Sequence, residues 1–347
     1  MNLDVRVQPL GDEAGFAREW ARLYERAVNG TPFQSSAWIE TWLSAAAPRC
    51  RLLTVRATAN GEAVALGVLG VPPRGPARLA ESGDPALDDI YVEYNDILLS
   101  EGAPRDARRL VVAALLDHVG SKGLVLRNVP PPLRQAALAA GRDAGWVVRV
   151  VMENPCFGRD LTEPDPASRN TRQQVARAKR LYEARGPLSL EVARTPQDRA
   201  AALPALIGLH EAVWQARGRD GAFANAALRG FHEALIARDD QGTEIVTLRA
   251  GDAPVGMLYN LVSAEGAYNY QSGFAFEADN KLKPGLLTHS LAMAHYAERG
   301  LGFYDMMAGD ARYKASLGVP TRRLSTLELE RPSLRQKLRG VARNFRR

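Results

Sequence analysis

Within the stretch YDMMAGDARYK (304–314) the chain places Asp305, Asp310, Tyr313 and Lys314. Two carboxylates beside a phenol and an amine can accept a proton, release one and hold negative charge. Each such positioned group contributes typically about 10²–10⁴-fold to a rate. Asp305 and Asp310 are the candidate bases, Tyr313 the candidate acid, and Lys314 a contact for a phosphate or an oxyanion. Tyr313 and Lys314 are adjacent and project in different directions, so they serve different roles. The competing structural readings make Asp310 an N-cap for the helix that follows and Asp305 the holder of a basic partner in the core.

A second group, Lys281-Leu282-Lys283-Pro284-Gly285, suits a pyrophosphate. Backbone N–H groups at a helix start, with the positive end of the dipole, hold phosphate oxygens. Pro284 fits the first helical turn, Gly285 permits close approach, and Lys281 and Lys283 add charge. Leu286 completes this candidate donor segment. The corresponding first-half segment, Glu101-Gly102-Ala103-Pro104, brings an acid instead, which points to one donor site, in the second half. Other chemistries lack their residues. His210 and His232 each precede a Glu but lie on separate helices with no cysteine nearby, so no metal site is expected. No Gly-x-Ser-x-Gly elbow or Walker loop occurs.

The elements that position these groups are written twice. In the second half, apolar spacing predicts helices over 197–217 and 224–238, strands over 244–250, 254–263 and 266–273, a helix over 284–299 ending at Gly300, a strand over 302–307, a helix over 310–317 and a strand over 323–330. In the first half, helices over 11–29 and 36–46 precede strands over 51–57 and 63–71, joined at Asn60-Gly61. A strand over 93–100, a helix over 104–121, a strand over 124–129, a helix over 132–144 and a strand over 146–152 follow. The two series share one order at a spacing of about 190 residues, the mark of a duplicated domain. Between them, 168–185 reads as a polar helix rich in Arg and Lys, either a solvated connector or a basic face for an anionic substrate. Trp38 and Trp42, four apart, are expected in the core.

Bulk properties agree with a globular chain. Its 347 residues suffice for two domains, with 46% hydrophobic and 24% charged. The net charge of +6 comes from the C-terminal stretch 331–347, which holds seven Arg or Lys and no acid; without them 38 bases face 39 acids. That balance gives no reason to expect DNA binding. No signal peptide or membrane span is expected, and Cys50 and Cys156 suit a reducing cytoplasm.

Several stretches carry a resemblance to a known family. They are PFQSSAWIETWLSAA (32–46), EYNDILL (93–99), LRNVP (126–130) and RNTRQQVARAKRL (169–181). The second half adds LHEAVWQARGRDGAF (209–223), YNYQSGF (268–274), KPGLL (283–287) and YDMMAGDARYK (304–314). In this order they resemble the CelD-like and FemAB-like branch of GNAT acyltransferases, which fuse two GNAT domains. Three departures stand out. Glu93 replaces the usual Asp, Ala311 replaces the Glu of the late Gly-Asp-Glu-x-Tyr-Lys motif, and the usual Arg/Gln-x-x-Gly-x-Gly/Ala loop is absent.

The resemblance implies an α/β (α+β) fold of two tandem GNAT-like domains with mixed sheets. The domains are expected at 1–160 and 194–330, joined by a basic linker helix and strand (161–193). It implies that the strands around the donor helix splay to admit a thioester. It implies acetyl-CoA or acyl-CoA as co-substrate, no metal, and transfer to an amine of a sugar, amino acid or envelope precursor in polysaccharide synthesis. On that reading Tyr270, Gln271 and Ser272, with Tyr94, Asn95 and Asp96 from the first half, line the acceptor side. Strand alternation groups Tyr268, Tyr270 and Ser272 against Asn269, Gln271 and Gly273. A Fem-like ligase using aminoacyl-tRNA, and an inactive binding protein, are the alternatives. The 331–347 stretch patterns as a short basic amphipathic helix, either packed on the body or touching anionic lipid.

Overall fold

The computed structural model describes residues 3–238 and 242–332. The first half of the chain runs β1 (Asp4–Pro9), α1 (Glu13–Tyr24), α2 (Ser36–Ala46), β2 (Arg51–Ala59), β3 (Glu62–Val71), β4 (Ala77–Leu79), α3 (Pro85–Asp88), β5 (Leu98–Leu99), α4 (Ala107–Val119), β6 (Leu124–Val129), α5 (Pro131–Asp143) and β7 (Val147–Asp160). The second half runs α6 (Arg169–Glu183), β8 (Leu188–Ala193), α7 (Pro196–Gln215), α8 (Ala226–Ile236), β9 (Thr243–Ala250), β10 (Ala253–Val262), β11 (Gly266–Phe274), α9 (Pro284–Glu298), β12 (Phe303–Ala308), α10 (Arg312–Leu317) and β13 (Val319–Glu330). Apart from the short α3 and β5 of the first half and the leading α6 of the second, both run strand, two helices, three strands, helix, strand, helix, strand. The duplicated order is real.

Two compact units result, and their limits are not those of the halves. Unit 1 holds the described residues up to Glu153 and from Arg323 onward; unit 2 is Asn154–Arg322. In unit 1, β1, β2, β3 and β4 are antiparallel neighbours, and β4 pairs β6 in parallel. The C-terminal part of β13 then closes the sheet antiparallel to β6, from Ser325↔Val129 to Leu329↔Leu124. In unit 2, β8, β9, β10 and β11 are antiparallel, β11 pairs β12 in parallel, and the end of β7 closes the sheet on β12. Each half therefore supplies the closing strand of the other half's unit.

Local chemistry accounts for these elements. Asn60 and Gly61 both take positive φ, +54° and +85°, as a tight two-residue hairpin between β2 and β3 requires. Arg299 caps α9 and Gly300 follows with φ +84°. Apolar residues three and four apart on α4, such as Val112, Leu115 and Leu116, share the core of unit 1 with residues of β2, β4 and β6. Trp38 and Trp42 are buried, as their spacing implies. In unit 2, Ala292, Met293 and Tyr296 of α9 pack with Val246, Leu258 and Tyr304. Burying each large apolar side chain contributes about 1.5–3 kcal/mol.

The structure changes four expectations. The 161–193 segment is no separate linker: α6 and β8 lie in unit 2, and β8 is a strand of its sheet. The strand expected over 93–100 reduces to Leu98–Leu99, because Tyr94 takes φ +52° and its neighbours bond as a loop. Alternation in β11 breaks at a bulge, where Tyr259 faces Gln271 but Asn260 faces Asn269, leaving Tyr270 as the extra residue. Asn269 and Ser272, assigned to opposite faces, are thereby hydrogen-bonded (Ser272 Oγ to Asn269 Oδ1, 2.9 Å). Short α10 starts at Arg312, so Asp310 lies outside it. The amphipathic pattern over 331–347 falls almost wholly outside the described residues, which end at 332. Cys50 and Cys156 are not joined by a disulfide.

Candidate active site

In unit 2 the parallel pair of β11 and β12 lasts only from Gly266↔Phe303 to Tyr268↔Asp305. Beyond it the ladder stops on both strands, at the β11 bulge and at an irregularity in β12 between Asp305 and Ala308. Met307 there takes φ +67°, a conformation costly for a residue with a side chain and concentrated at functional sites. Two neighbours hold it. The buried Asp305 carboxylate accepts the Met307 N–H at 2.6 Å. Lys314 Nζ, also buried, donates to Met307 O at 3.2 Å and Ala308 O at 2.5 Å. Asp305 and Lys314 thus shape the strand end.

Tyr313 stacks on His289 from α9, with ring centroids 5.2 Å apart and an interplanar angle of 18°. Burial pushes the Tyr313 phenol up to about 12, so it keeps its proton at neutral pH. His289 Nδ1 lies 3.0 Å from the Tyr304 hydroxyl, while its Nε2 is buried without a hydrogen-bond partner among the described residues. Burial, helped by the Lys314 charge, holds His289 down at about 3, so the imidazole is neutral. Burial also keeps the Tyr304 hydroxyl protonated. His289 and Tyr304 were missed in the sequence. The available signal was a histidine one turn after Gly285 on the helix face that also carries Ala292, Met293 and Tyr296.

Of the remaining candidates in the late motif, Asp310 is exposed, and the N-cap of α10 is Ala311, which has no side-chain oxygen to offer. The capping role is thus excluded for Asp310. In the donor segment, Lys281 is exposed and Lys283 is the N-cap residue of α9. Pro284 occupies the first turn, which carries no acid. A Cβ on Gly285 would lie 3.4 Å from the Phe274 ring, so glycine keeps this helix start close to β11. Leu286 packs against the unit 2 core. These features suit a phosphate-bearing donor over α9.

Tyr270, the extra residue of the bulge, packs tilted against His232 (ring centroids 4.6 Å apart) and edge-on to Tyr259 (5.8 Å). Gln271 is half-buried beside it. His210 Nδ1 meets Ser272 O at 2.9 Å and its Nε2 accepts the Ala222 N–H, so the ring ties α7 to β11. His210 and His232, far apart in sequence, both pack edge-on to Phe223.

Unit 1 has the same split differently filled. Its parallel pair covers only Ala77↔Leu124 and Arg78↔Val125, and Asn128 repeats the positive φ of Met307 at +51°. Counting from that pair, Glu81 stands where unit 2 has Tyr270. Buried Glu81 lies 3.0 Å from Arg127 and 3.4 Å from Arg78. Burial pushes it up to about 7 against the pull of both arginines. The Asp88 carboxylate accepts from Ser82 N, Ser82 Oγ and Gly83 N at 2.7–2.8 Å, and its carbonyl accepts from Arg127 Nη1 at 3.2 Å. The expected first-half acceptor residues are engaged within unit 1. Tyr94 is buried near Phe33, Asn95 donates to Leu79 O at 2.8 Å, and Asp96 is gripped by Arg108 at 2.6–3.0 Å and by Asn29.

Residues 169–315 match a family model described as an acetyltransferase (GNAT) domain. That segment is a GNAT domain. Solved structures extend the likeness across both units. FemX aligns at 11% identity and a TM-score of 0.60, covering 93% of this chain and 96% of that one. L-PGS from Bacillus licheniformis aligns at 13% and 0.57, covering 94% and 96%. A tandem GNAT protein from the clavulanic acid biosynthesis pathway aligns at 14% and 0.52, covering 95% and 100%. At these identities the likeness is one of fold. No curated protein sequence matches the chain. Among the described residues no helix is long and apolar enough to cross a membrane.

Proposed function

We propose that this GNAT-fold transferase moves an acyl group from acetyl-CoA or a longer acyl-CoA to a primary amine, at the split between β11 and β12 of unit 2. The observation that carries this reading is the contrast between the two splits. That of unit 1 is plugged by Glu81, Arg127, Asp88 and their bonds, whereas that of unit 2 is edged by a protonated phenol, Tyr313, and by the acid-free start of α9. Lys281, Lys283 and the N–H groups after Pro284 would hold the donor's pyrophosphate. As the amine nitrogen bonds to the acyl carbon and the carbon–sulfur bond breaks, Asp310 takes the proton from nitrogen and Tyr313 gives one to sulfur. Asp305 and Lys314 hold the strand end that frames the reaction. Gln271 and Tyr270 line the acceptor side, and amine-bearing sugars, amino acids or envelope precursors are the acceptors.

A thermal-shift titration with acetyl-CoA, a longer acyl-CoA and charged tRNA tests the donor, since a ligand of the native state raises the midpoint. Saturable stabilisation by a CoA ester supports the proposal. Stabilisation by charged tRNA alone transfers it to the aminoacyl reading, which the basic face of α6 and the missing Arg/Gln-x-x-Gly-x-Gly/Ala loop favour. No response to any CoA ester overturns the CoA proposal.

A further inference from the structure

A groove of about 390 Å³ runs in unit 2 between α6 and the later turns of α9, away from the helix start assigned to the donor. Its volume falls in the range of small-molecule sites. Space exists because Ala176, Ala294 and Ala297 stop at Cβ on the facing helices. Met293, Val175, Leu161 and Leu317 give it an apolar lining.

The polar side is cationic. Arg159, Arg172 and Lys179 face the groove against the single carboxylate of Asp165. Arg159 is mostly withdrawn from solvent, with its side chain 18% exposed. Its Nη1 lies 3.3 Å from Asp165 Oδ1 and 3.9 Å from Met293 Sδ. Its Nε is buried with no hydrogen-bond partner among the described residues. A buried guanidinium N–H without an acceptor is costly, and an anion lying in the groove would provide one. Arg172 bonds the Ala167 carbonyl, while half-exposed Lys179 pairs with Glu183 at 3.8 Å, a long contact that its flexible stem can leave for the opening. Spacing on both helices repeats at three and four residues, so the cationic and apolar stripes run alongside each other.

We propose that this groove binds an amphiphilic anion, with a carboxylate or phosphate head against Arg159 and an aliphatic body lying along Ala294 and Ala297. A planar guanidinium accepts either head in a two-point contact. The site is distinct from the proposed transfer centre.

Calorimetric titration of the full chain with octanoate, octyl phosphate, octylammonium and octanol tests it, each below its micelle concentration. Saturable binding of octanoate or octyl phosphate is expected, whichever binds more tightly naming the head group, with at least tenfold weaker binding of octylammonium and octanol. Ala294→Trp fills the groove from an exposed helix position and should weaken the anion at least tenfold. Lys179→Glu should weaken it severalfold. Neither variant should alter the acetyl-CoA shift, so failure here and failure of the donor assignment are separable. Equal binding of octylammonium, anion binding undiminished in Ala294→Trp, or no saturable anion binding overturns the proposal.

Discussion

Lys314 is charged, buried and committed to two main-chain carbonyls at the irregular end of β12. Lys314→Met keeps the length of the side chain but leaves Met307 O and Ala308 O without that donor. It should lower stability by about 1–3 kcal/mol, read as a lower denaturant midpoint. Tyr313→Phe keeps the ring that stacks on His289 and removes only the hydroxyl. Its melting temperature should stay near that of the parent, while kcat for acyl transfer falls about 10²-fold or more. A kcat within a few-fold of the parent would remove Tyr313 from the acid role. Asp310→Asn is milder still for the fold, because the residue is exposed and caps no helix. It should change stability by less than about 0.5 kcal/mol. As the proton acceptor Asp310 should still matter to rate: kcat/KM of Asp310→Asn should fall about 10²-fold or more, and a value within a few-fold of the parent would remove it from that role.

At the scale of elements, the shared irregularities in the two copies of the fold are informative. Asn128 and Met307 adopt the same left-handed backbone at equivalent points of β6 and β12, although their side chains have nothing in common. The split is therefore a property of the fold, while its contents decide whether a ligand can enter. Gly273 sets the spacing of α7 over β11: a Cβ there would fall 2.7 Å from Leu209 Cβ, 2.8 Å from Leu206 O and 2.9 Å from His210 N. Gly273→Ala should cost about 1–3 kcal/mol, and acetyl-CoA stabilisation should weaken as the strand is displaced. Much of this level was legible in advance. Helices such as 284–299 and the hairpin at Asn60-Gly61 followed from period and turn chemistry. What escaped were features decided by partners distant in sequence. The bulge at Tyr270 depends on its register with β10, Tyr94–Asp96 turned into a loop by bonding Leu79 and Arg108, and His289 took its role from Tyr304 and Tyr313.

The whole molecule should answer acid in two opposite ways. Buried His289 and His232 of unit 2 are held down at about 3, whereas in an unfolded chain they titrate near 6.5. As pH falls through that window the unfolded chain gains protons that the folded unit refuses, so unit 2 loses about 2 kcal/mol per histidine by pH 5. Glu81 of unit 1 works in reverse: its raised value makes stability full below about 4.5 and lost as pH rises through about 7. Hydrogen exchange followed by mass spectrometry at pH 7 and 5, corrected for intrinsic rates, should show unit 2 amides less protected at pH 5 and unit 1 amides more so. Glu81→Gln should abolish the unit 1 change. The exchanged closing strands carry a different consequence, for synthesis. Asn128 and Thr326 are hydrogen-bonded neighbours in unit 1, yet 198 positions separate them. At a translation rate of about 5–20 residues per second, β6 waits roughly 10–40 s on the ribosome with that edge uncovered. The unit that emerges first is thus finished last, and its bare edge is where nascent chains of this protein would need a chaperone.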